Sequence, residues 1–295
     1  MQINRLSDPL GAEIIGIDVA TLDAPTFATI HEAFLEHQVL VFRDQALAPN
    51  DQIAFSERFG AIETRPDRPF ILAGVPEITV LSNRHADDAP VGIINAGDIW
   101  HTDLSFAEIP SRATFLHALE VAEEGGDTEW SNMYLAYETL PEGTRRRIDG
   151  LRGIHVFDRR KNPRTRVDSQ YAANPDAVYG LPIPDATHPM VRTHAQTGQN
   201  SLFVSPRFVV GIDGMDDSEA QTLLDELFEH QIRPEFRYRH TWRRGDLLMW
   251  DNSCLIHIGR GNIKPPGIRH MHRTMVLGDR PARYPTDQAH RCRDR

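Results

Sequence analysis

The alternation that indicates the fold class lies at residues 269–277, which read RHMHRTMVL. Successive side chains of a β-strand point to opposite faces, so a period of two is typical of a strand between two different environments. The odd-numbered residues, among them Arg269 and Arg273, then share one face of the predicted strand. The even-numbered residues, among them His270 and His272, share the other.

Comparable β-rich runs are spread over the whole chain and are bounded by turn-forming residues. They lie at residues 39–42, 78–81, 113–116, 201–204 and 247–250. Helical patterns are fewer and do not alternate regularly with these runs, as they would in a βαβ protein. The sequence therefore predicts a mainly β fold, a sandwich or barrel decorated with α-helices.

Three helices are predicted. Residues 25–38 carry apolar side chains at helical spacing, and Asp23 precedes them as a candidate N-cap. Residues 216–231 repeat this pattern behind acidic residues that favour a helix N-terminus. A third helix is predicted over residues 134–148, interrupted by a turn at 141–143.

Composition excludes several classes of protein. The chain has 295 residues, of which 40% are hydrophobic and 25% charged, a balance that excludes disorder throughout. Lys and Arg number 32 against 42 Asp and Glu, which gives a net charge of −10 and disfavours a nucleic-acid-binding protein. Cys254 and Cys292 are too few for a disulfide framework or a thiolate metal site.

The N-terminal residues lack a basic segment followed by an apolar run, so no signal peptide is predicted. No apolar run approaches the ~18 residues that a membrane span requires. We therefore expect a soluble, cytoplasmic protein that does not interact with a membrane.

Residues 157–195 form the longest irregular stretch, rich in Arg, Pro, Asp and Asn. Such a stretch inside a compact domain is either a functional lid or a disordered loop. With no linker or repeat elsewhere, we expect one domain over residues 1–295 that carries a lid-like insertion at about 157–195.

One His-x-Asp pair stands out among the 14 histidines of the chain. His101 and Asp103 would share a face at a strand end, where both could bind one metal ion. A third ligand, His257, would complete the two-His, one-carboxylate set of non-haem Fe(II) oxygenases, which leaves three coordination positions open. Taken alone, His101 could equally be a hydrogen-bonded core histidine and Asp103 a capping residue.

Arg269 and Arg273 follow His257 in the alternating strand. At ~3.3 Å per residue their side chains leave the backbone ~13 Å apart, which suits two separate anions along one cavity. Arginines that face a barrel interior without anions would be costly. The alternative is that this strand faces solvent and both arginines are simply exposed.

Several motifs together resemble one known family. They are Trp-His-Thr-Asp at 100–103, Gly-Gly-Asp-Thr at 125–128, Trp-Asp-Asn at 250–252 with His257, and Arg269 to Arg273. In this order and spacing they resemble the TauD/TfdA family of Fe(II)- and 2-oxoglutarate-dependent dioxygenases. The resemblance extends over nearly the whole chain, from Leu10 to Asp279.

The resemblance implies a double-stranded β-helix, that is, a cupin-like jelly roll with helices packed outside. It also implies Fe(II) as the metal, 2-oxoglutarate and O₂ as co-substrates, and succinate and CO₂ as co-products. His101, Asp103 and His257 match the iron ligands of the family. The presence of Asp103 favours hydroxylation over halogenation, because no iron position is left for chloride.

The resemblance also assigns residues to two anions, the co-substrate 2-oxoglutarate and the primary substrate. Arg269 and Thr128 match the residues that hold the distal carboxylate of 2-oxoglutarate. Arg273 matches the arginine that holds the anionic head of the primary substrate. Both assignments agree with the two anions that the spacing of the arginines requires.

The chain differs from the sulfonate-cleaving members of the family at positions that bear on substrate binding. Those members carry a His and a Tyr where this chain has Arg65 and Arg68, which we take as candidate substrate-binding residues. They also carry an Asn shortly before the His-x-Asp pair, where Gly97 and Asp98 stand here. The sequence around residues 235–240 and 249–252 is closer to members that cleave aryloxyalkanoates such as 2,4-dichlorophenoxyacetate.

We therefore predict a dioxygenase that hydroxylates a small organic anion, most specifically an aryloxyalkanoate. The alternatives are an alkylsulfonate dioxygenase that releases sulfite, and a catalytically silent jelly roll that binds a small anion. A homo-oligomer is also expected.

Overall fold

The computed structural model describes residues 1–64, 69–94, 97–162, 164–165 and 183–284. The strands in these ranges are β1 (Gln2–Arg5), β2 (Ala12–Ile15), β3 (Val39–Phe42), β4 (Ile71–Leu72), β5 (Val75–Ser82), β6 (His85–Ala86), β7 (Ala89–Pro90), β8 (Ser111–Glu120), β9 (Thr128–Asn132), β10 (Arg152–His155), β11 (Ala186–Pro189), β12 (Val191–Thr193), β13 (Asn200–Leu202), β14 (Val209–Ile212), β15 (Arg237–His240), β16 (Leu247–Asp251), β17 (Leu255–Gly259) and β18 (His270–Leu277). The α-helices are α1 (Ala24–His37), α2 (Pro49–Glu57), α3 (Met133–Glu138), α4 (Glu142–Ile148) and α5 (Asp217–His230). Short 3₁₀ helices lie at Val19–Thr21, Arg159–Lys161 and Pro234–Phe236.

The largest layer is an 8-stranded sheet in the order β1-β2-β3-β16-β8-β18-β5-β4. Its neighbouring strands are antiparallel except β2 and β3, which are parallel. The long pairing of β8 with β18 sets Arg273 opposite Leu116 and Met275 opposite Thr114. Since this register places these residues on the same face, Thr114 and Arg273 both look into the interior of the molecule.

The outer face of this sheet is covered by α1 and α2. Phe55 of α2 packs edge-on against Phe42 of β3 and Phe115 of β8, with ring centroids 5.5 and 5.7 Å apart. Asp23 caps the N-terminus of α1, because its carboxylate accepts a hydrogen bond from the backbone of Thr26. Burial of these aromatic rings, at roughly 2–3 kcal/mol each, fixes the helices against the sheet.

The inner face packs against a 3-stranded sheet in the order β15-β9-β17. Trp130 of β9 is fully buried between the two layers, edge-on to Trp250 of β16 at 5.6 Å. In the register of β9 and β17, Trp130 lies opposite His257. His257 of β17 is therefore held by the packed core between the two sheets.

A second core joins α3, α4 and α5 to the small sheets β11-β10-β14 and β12-β13. Leu223, Leu224 and Leu227 supply the buried face of α5. None of the helices within the described ranges is long and apolar enough to cross a membrane.

The predicted helices at 25–38 and 216–231 are confirmed as α1 and α5. The helix predicted over 134–148 is divided into α3 and α4, but the break falls at residues 139–141 and not at 141–143. Proline restricts the residue before it and lacks an N–H, so the first helix ends before Pro141 and the second begins after it.

The predicted β runs are strands, although β13 ends at Leu202, before the predicted end at 204. The prediction that residues 157–195 are irregular is wrong at the C-terminal end of this segment, where β11 and β12 lie. These strands were missed because they contain polar residues, which the sequence analysis took as a sign of irregular structure. His188, for example, is buried, and its Nε2 forms a hydrogen bond with the carbonyl of Ala107 at 2.9 Å. Residues 163 and 166–182 of the proposed insertion lie outside the described residues. One domain over 1–295 stays a prediction.

Candidate metal centre

The backbones of His101 and His257 form an antiparallel bridge. The amide of His101 donates to the carbonyl of His257 at 3.0 Å, and the reverse bond measures 2.8 Å. Their imidazole centroids lie 4.1 Å apart. Two residues far apart in sequence are thus placed side by side by backbone pairing, which leaves their side chains free for another role.

Asp103 completes the cluster. Its Oδ1 lies 3.5 Å from Nε2 of His101, and its Oδ2 lies 3.8 Å from Nε2 of His257. The chain turns directly after it, and Leu104 adopts a left-handed conformation with φ of 55° that a β-carbon disfavours. Among the described residues, these three alone form a group of at least three His, Cys, Asp or Glu side chains that could hold a metal ion.

The protonation states suit a divalent cation. Burial and the nearby His101 lower the pKa of His257 to about 3, so its imidazole is neutral. Burial alone would raise the pKa of Asp103, but its neighbours His257 and His101 and the permanently charged Arg273 together outweigh it and hold the pKa well below its usual range. Neutral imidazoles and an ionised carboxylate are the forms that bind metals.

Hydrogen bonding also fixes the tautomer of His101. Its Nδ1 lies 2.8 Å from the carbonyl of Ile99, which can only accept, so Nδ1 carries the proton. The lone pair of Nε2 is then directed at Asp103 and His257, as in histidines that bind metals. The donor set therefore fits a facial two-His, one-carboxylate centre for iron.

Gly97 is required next to this cluster. A β-carbon at this position would lie 2.7 Å from Cε1 of His101, and its φ of 79° is left-handed. The departure from the family pattern noted at Gly97 thus has a steric consequence. A side chain at position 97 cannot be added unless His101 moves.

Arg273 lies on β18 beside the cluster, with Nη1 3.9 Å from Oδ1 of Asp103. Its Nε is shielded from solvent and has no hydrogen-bond partner among the described residues. The predicted interior face of this strand is confirmed, because Thr274 points the other way and bonds Ser56 of α2.

Arg269 precedes β18 and lies at the far end of the same face. Its Nε is also buried without a partner in the described part of the chain, and burial lowers its pKa to about 10. The guanidinium carbon stands 5.9 Å from the ring centroid of Trp242. Gly126 makes room for the stem, because a β-carbon there would lie 3.2 Å from Cδ of Arg269.

Thr128 belongs to the same region through Trp242, whose indole Nε1 donates to the Thr128 hydroxyl at 3.0 Å. Arg269 and Thr128 are therefore neighbours of one tryptophan. Sequence analysis missed Trp242 because it lies outside the motifs, in the coil between β15 and β16. A buried guanidinium whose Nε has no partner among the described residues, together with a hydroxyl beside the same tryptophan, is suited to a carboxylate ligand.

A group of three phenylalanines, here called the aromatic wall, lies beside the cluster. Phe208 lies edge-on to His101 with ring centroids 5.9 Å apart. Phe106 contacts both Phe208 and Phe157, at 5.1 and 4.8 Å. These phenylalanines, which sequence analysis did not single out, give the neighbourhood of the cluster an apolar, aromatic character.

Arg65 and Arg68, the remaining predicted substrate-binding residues, lie outside the described residues. Their assignment stays a prediction.

The model of the family described as "Taurine catabolism dioxygenase TauD, TfdA family" matches residues 2–275. The chain belongs to this family. TauD/TfdA proteins are Fe(II)- and 2-oxoglutarate-dependent dioxygenases, so the protein is an oxidoreductase that uses Fe(II), 2-oxoglutarate, O₂ and a small substrate. The predicted jelly-roll fold, enzyme class and cofactors are confirmed.

Individual relatives agree with this assignment. The chain is 37% identical to an alpha-ketoglutarate-dependent 2,4-dichlorophenoxyacetate dioxygenase of Cupriavidus pinatubonensis, over 87% of this chain and 91% of the relative. A taurine dioxygenase structure from Burkholderia xenovorans superposes with a TM-score of 0.79 at 34% identity, over 95% and 92% of the two chains. The structure of AAD-2 in complex with Mn(II) and N-oxalylglycine superposes with a TM-score of 0.78 at 28% identity, over 95% of this chain and 99% of the AAD-2 chain.

Proposed function

We propose that this TauD/TfdA dioxygenase hydroxylates an aryloxyalkanoate, with Fe(II) held by His101, Asp103 and His257. The observation that carries the substrate class is the pairing of Arg273 with the aromatic wall around one metal centre. Arg273 stands 3.9 Å from Asp103, and Phe208 stands 5.9 Å from His101. A substrate with a carboxylate at one end and an aryl ring at the other matches both features.

The co-substrate would lie toward Arg269. A guanidinium whose Nε is buried and unpartnered favours an anion strongly, since no carboxylate of the described residues neutralises it. We assign the distal carboxylate of 2-oxoglutarate to Arg269 and Thr128. The opposite end of 2-oxoglutarate then points along the strand toward the histidines, and Arg273 stays available to the primary substrate.

When bound, the iron supplies O₂ activation, in which 2-oxoglutarate is oxidised to succinate and CO₂. One oxygen atom of O₂ enters succinate and the other enters the substrate C–H bond as a hydroxyl group. Where that carbon bears an aryloxy oxygen, the product is a hemiacetal, which breaks into a phenol and a 2-oxoacid. The residues named here need only bind, orient and exclude water.

Arg273 alone does not distinguish a carboxylate from a sulfonate, and the similarity to a taurine dioxygenase keeps the alkylsulfonate reaction as the second candidate. The aromatic wall favours the aryl substrate over a small aliphatic one such as taurine. The silent binding protein has little support, because both histidines and the carboxylate of the metal set are present and adjacent.

The test is aerobic turnover with Fe(II) and 2-oxoglutarate across aryloxyacetates, aryloxypropionates and alkylsulfonates. We expect succinate and a phenol in equal amounts from an aryloxyalkanoate. Sulfite from a sulfonate, without phenol from any aryl ether, would replace this proposal with the second candidate. No substrate-dependent succinate from either series would support the silent binding protein.

A further inference from the structure

A hydrogen-bonded chain of buried side chains ends on Asp103. The hydroxyl of Thr114 donates to Oδ2 of Asp103 at 2.7 Å. Nδ2 of Asn252 in turn donates to the Thr114 hydroxyl at 2.9 Å. Thr114 and Asn252 are fully buried, on β8 and directly after β16.

The direction of every bond in this chain is determined. Oδ1 of Asn252 faces two donors, the indole Nε1 of Trp250 at 3.2 Å and the backbone amide of Asp103 at 3.3 Å. The amide group of Asn252 therefore cannot be flipped, and Nδ2 must face Thr114. Because the Thr114 oxygen accepts from Asn252, its single hydrogen is left for Asp103.

The two oxygens of Asp103 thus have different surroundings. Oδ2 receives the short bond from Thr114 and lies 3.8 Å from Nε2 of His257, whereas Oδ1 accepts no hydrogen bond of this length from the described residues and lies 3.5 Å from Nε2 of His101 and 3.9 Å from Nη1 of Arg273. A carboxylate with one oxygen occupied by a buried hydroxyl is disfavoured from binding a metal through both oxygens. A facial triad needs its carboxylate to use one position only, so that three remain open.

We propose that Thr114, oriented by Asn252, is a positioning residue that occupies Oδ2 of Asp103 and leaves Oδ1 as the single oxygen offered to the metal. The inference rests on Asp103 as a metal ligand, as in the proposed function. Its consequence is that Thr114 affects metal affinity and the number of open metal positions without touching the metal or either substrate.

Thr114→Val removes the hydroxyl and keeps the shape of the side chain. We expect it to weaken Mn(II) binding to the metal-free protein by about 10-fold or more, the usual range for partners of metal ligands. The absorption band of the Fe(II)–2-oxoglutarate complex, measured without O₂, should also shift, because the carboxylate can then rearrange. Thr114→Ser, which restores the hydroxyl, should recover both properties.

Thr274→Val is the matched control. Thr274 is a fully buried threonine on the adjacent strand β18, but its hydroxyl bonds Ser56 on the opposite face of the sheet. This variant should lower thermal stability and leave Mn(II) affinity and the absorption band unchanged. Equal effects on metal binding in Thr114→Val and Thr274→Val would overturn the inference, because they would mean general destabilisation.

Asn252→Ala tests the same chain without changing the Thr114 hydroxyl, and it decides the question if Thr114→Val does not fold; it also removes the acceptor of the Asp103 backbone amide. We expect a smaller loss of Mn(II) affinity than in Thr114→Val, and a loss in the double variant that is smaller than the sum of the two single losses, since both changes act on the same Thr114 hydroxyl. Additive losses would contradict a single chain. Asp103→Ala distinguishes an error in the proposed metal centre from an error in the role of Thr114. If Asp103→Ala retains wild-type Mn(II) affinity, the proposed metal centre is wrong. If Asp103→Ala loses the metal while Thr114→Val retains it, only the role of Thr114 is wrong.

Discussion

The indole of Trp242 donates a hydrogen bond to the hydroxyl of Thr128 over 3.0 Å, and the same indole ring stands 5.9 Å from the guanidinium carbon of Arg269. One tryptophan thus contacts both residues that we assign to the distal carboxylate of 2-oxoglutarate. Because the Thr128 oxygen accepts from Trp242, the Thr128 hydrogen is available to a ligand.

Trp242→Phe should therefore raise KM for 2-oxoglutarate by about 5-fold, the effect of one lost hydrogen bond of about 1 kcal/mol, and leave KM for the primary substrate unchanged. Steady-state kinetics with each substrate varied in turn measures both constants. Trp130→Phe is the control, because Nε1 of Trp130 is buried and makes no hydrogen bond to any of the described residues. A rise in KM for the primary substrate alone would remove Trp242 from the co-substrate site.

If His101, Asp103 and His257 bind the metal, replacing any one of them with alanine should abolish turnover and weaken Mn(II) binding by about 100-fold or more. Each removes one of three ligands, so metal affinity and the geometry of the open positions are lost together. Circular dichroism should show that the fold is retained. Near-native turnover in any one variant, with its iron content measured, would exclude that residue.

The two arginines should separate kinetically. Arg269→Lys keeps the charge but loses the two-pronged guanidinium, so KM for 2-oxoglutarate should rise by about 10-fold. Arg273→Lys should raise KM for the primary substrate instead. If both variants affect only the primary substrate, the assignment of Arg269 is wrong.

Gly97→Ala should weaken Mn(II) binding by about 10-fold, because the added β-carbon would lie 2.7 Å from Cε1 of His101. Gly74→Ala is matched to it: Gly74 has nearly the same φ, 78° against 79°, but none of the described residues has an atom within 4 Å of the added carbon. Both variants share the cost of a left-handed alanine, about 1 kcal/mol. Equal metal affinity in the two would show that His101 adjusts freely.

His155 should make the protein less stable in acid. Burial and the nearby His188 lower the pKa of His155 well below 6.5, and neither ring nitrogen has a partner among the described residues. The unfolded chain binds the proton first, so this contribution to stability is complete above pH ~6.5 and declines by up to about 1.4 kcal/mol per pH unit below it. The free energy of unfolding, measured with denaturant, should differ less between pH 8 and pH 5 for His155→Leu than for the wild type. An unchanged difference would assign the acid sensitivity to other groups.

The sequence by itself determined the local structure and the identity of the candidate site. Helices α1 and α5 follow from apolar spacing and an aspartate cap, and β3 and β18 from their composition, since these signals act over a few neighbouring residues. The motifs at 100–103, 125–128, 250–252 with His257, and 269–273 were together sufficient, in their order and spacing, to name the family. Homo-oligomer formation stays a prediction.

Only the tertiary structure decided which residues support that site. Thr114 reaches Asp103 because strand pairing turns one face of β8 inward, and Trp242 reaches Thr128 from a coil that no motif marks. The short strands β11 and β12 were likewise not apparent, because they bury polar side chains such as His188 and Thr193, whose hydrogen-bond partners lie in other segments. Hydrogen bonds between distant residues depend on how layers pack, and a periodicity read along one segment carries no information about the segment packed against it.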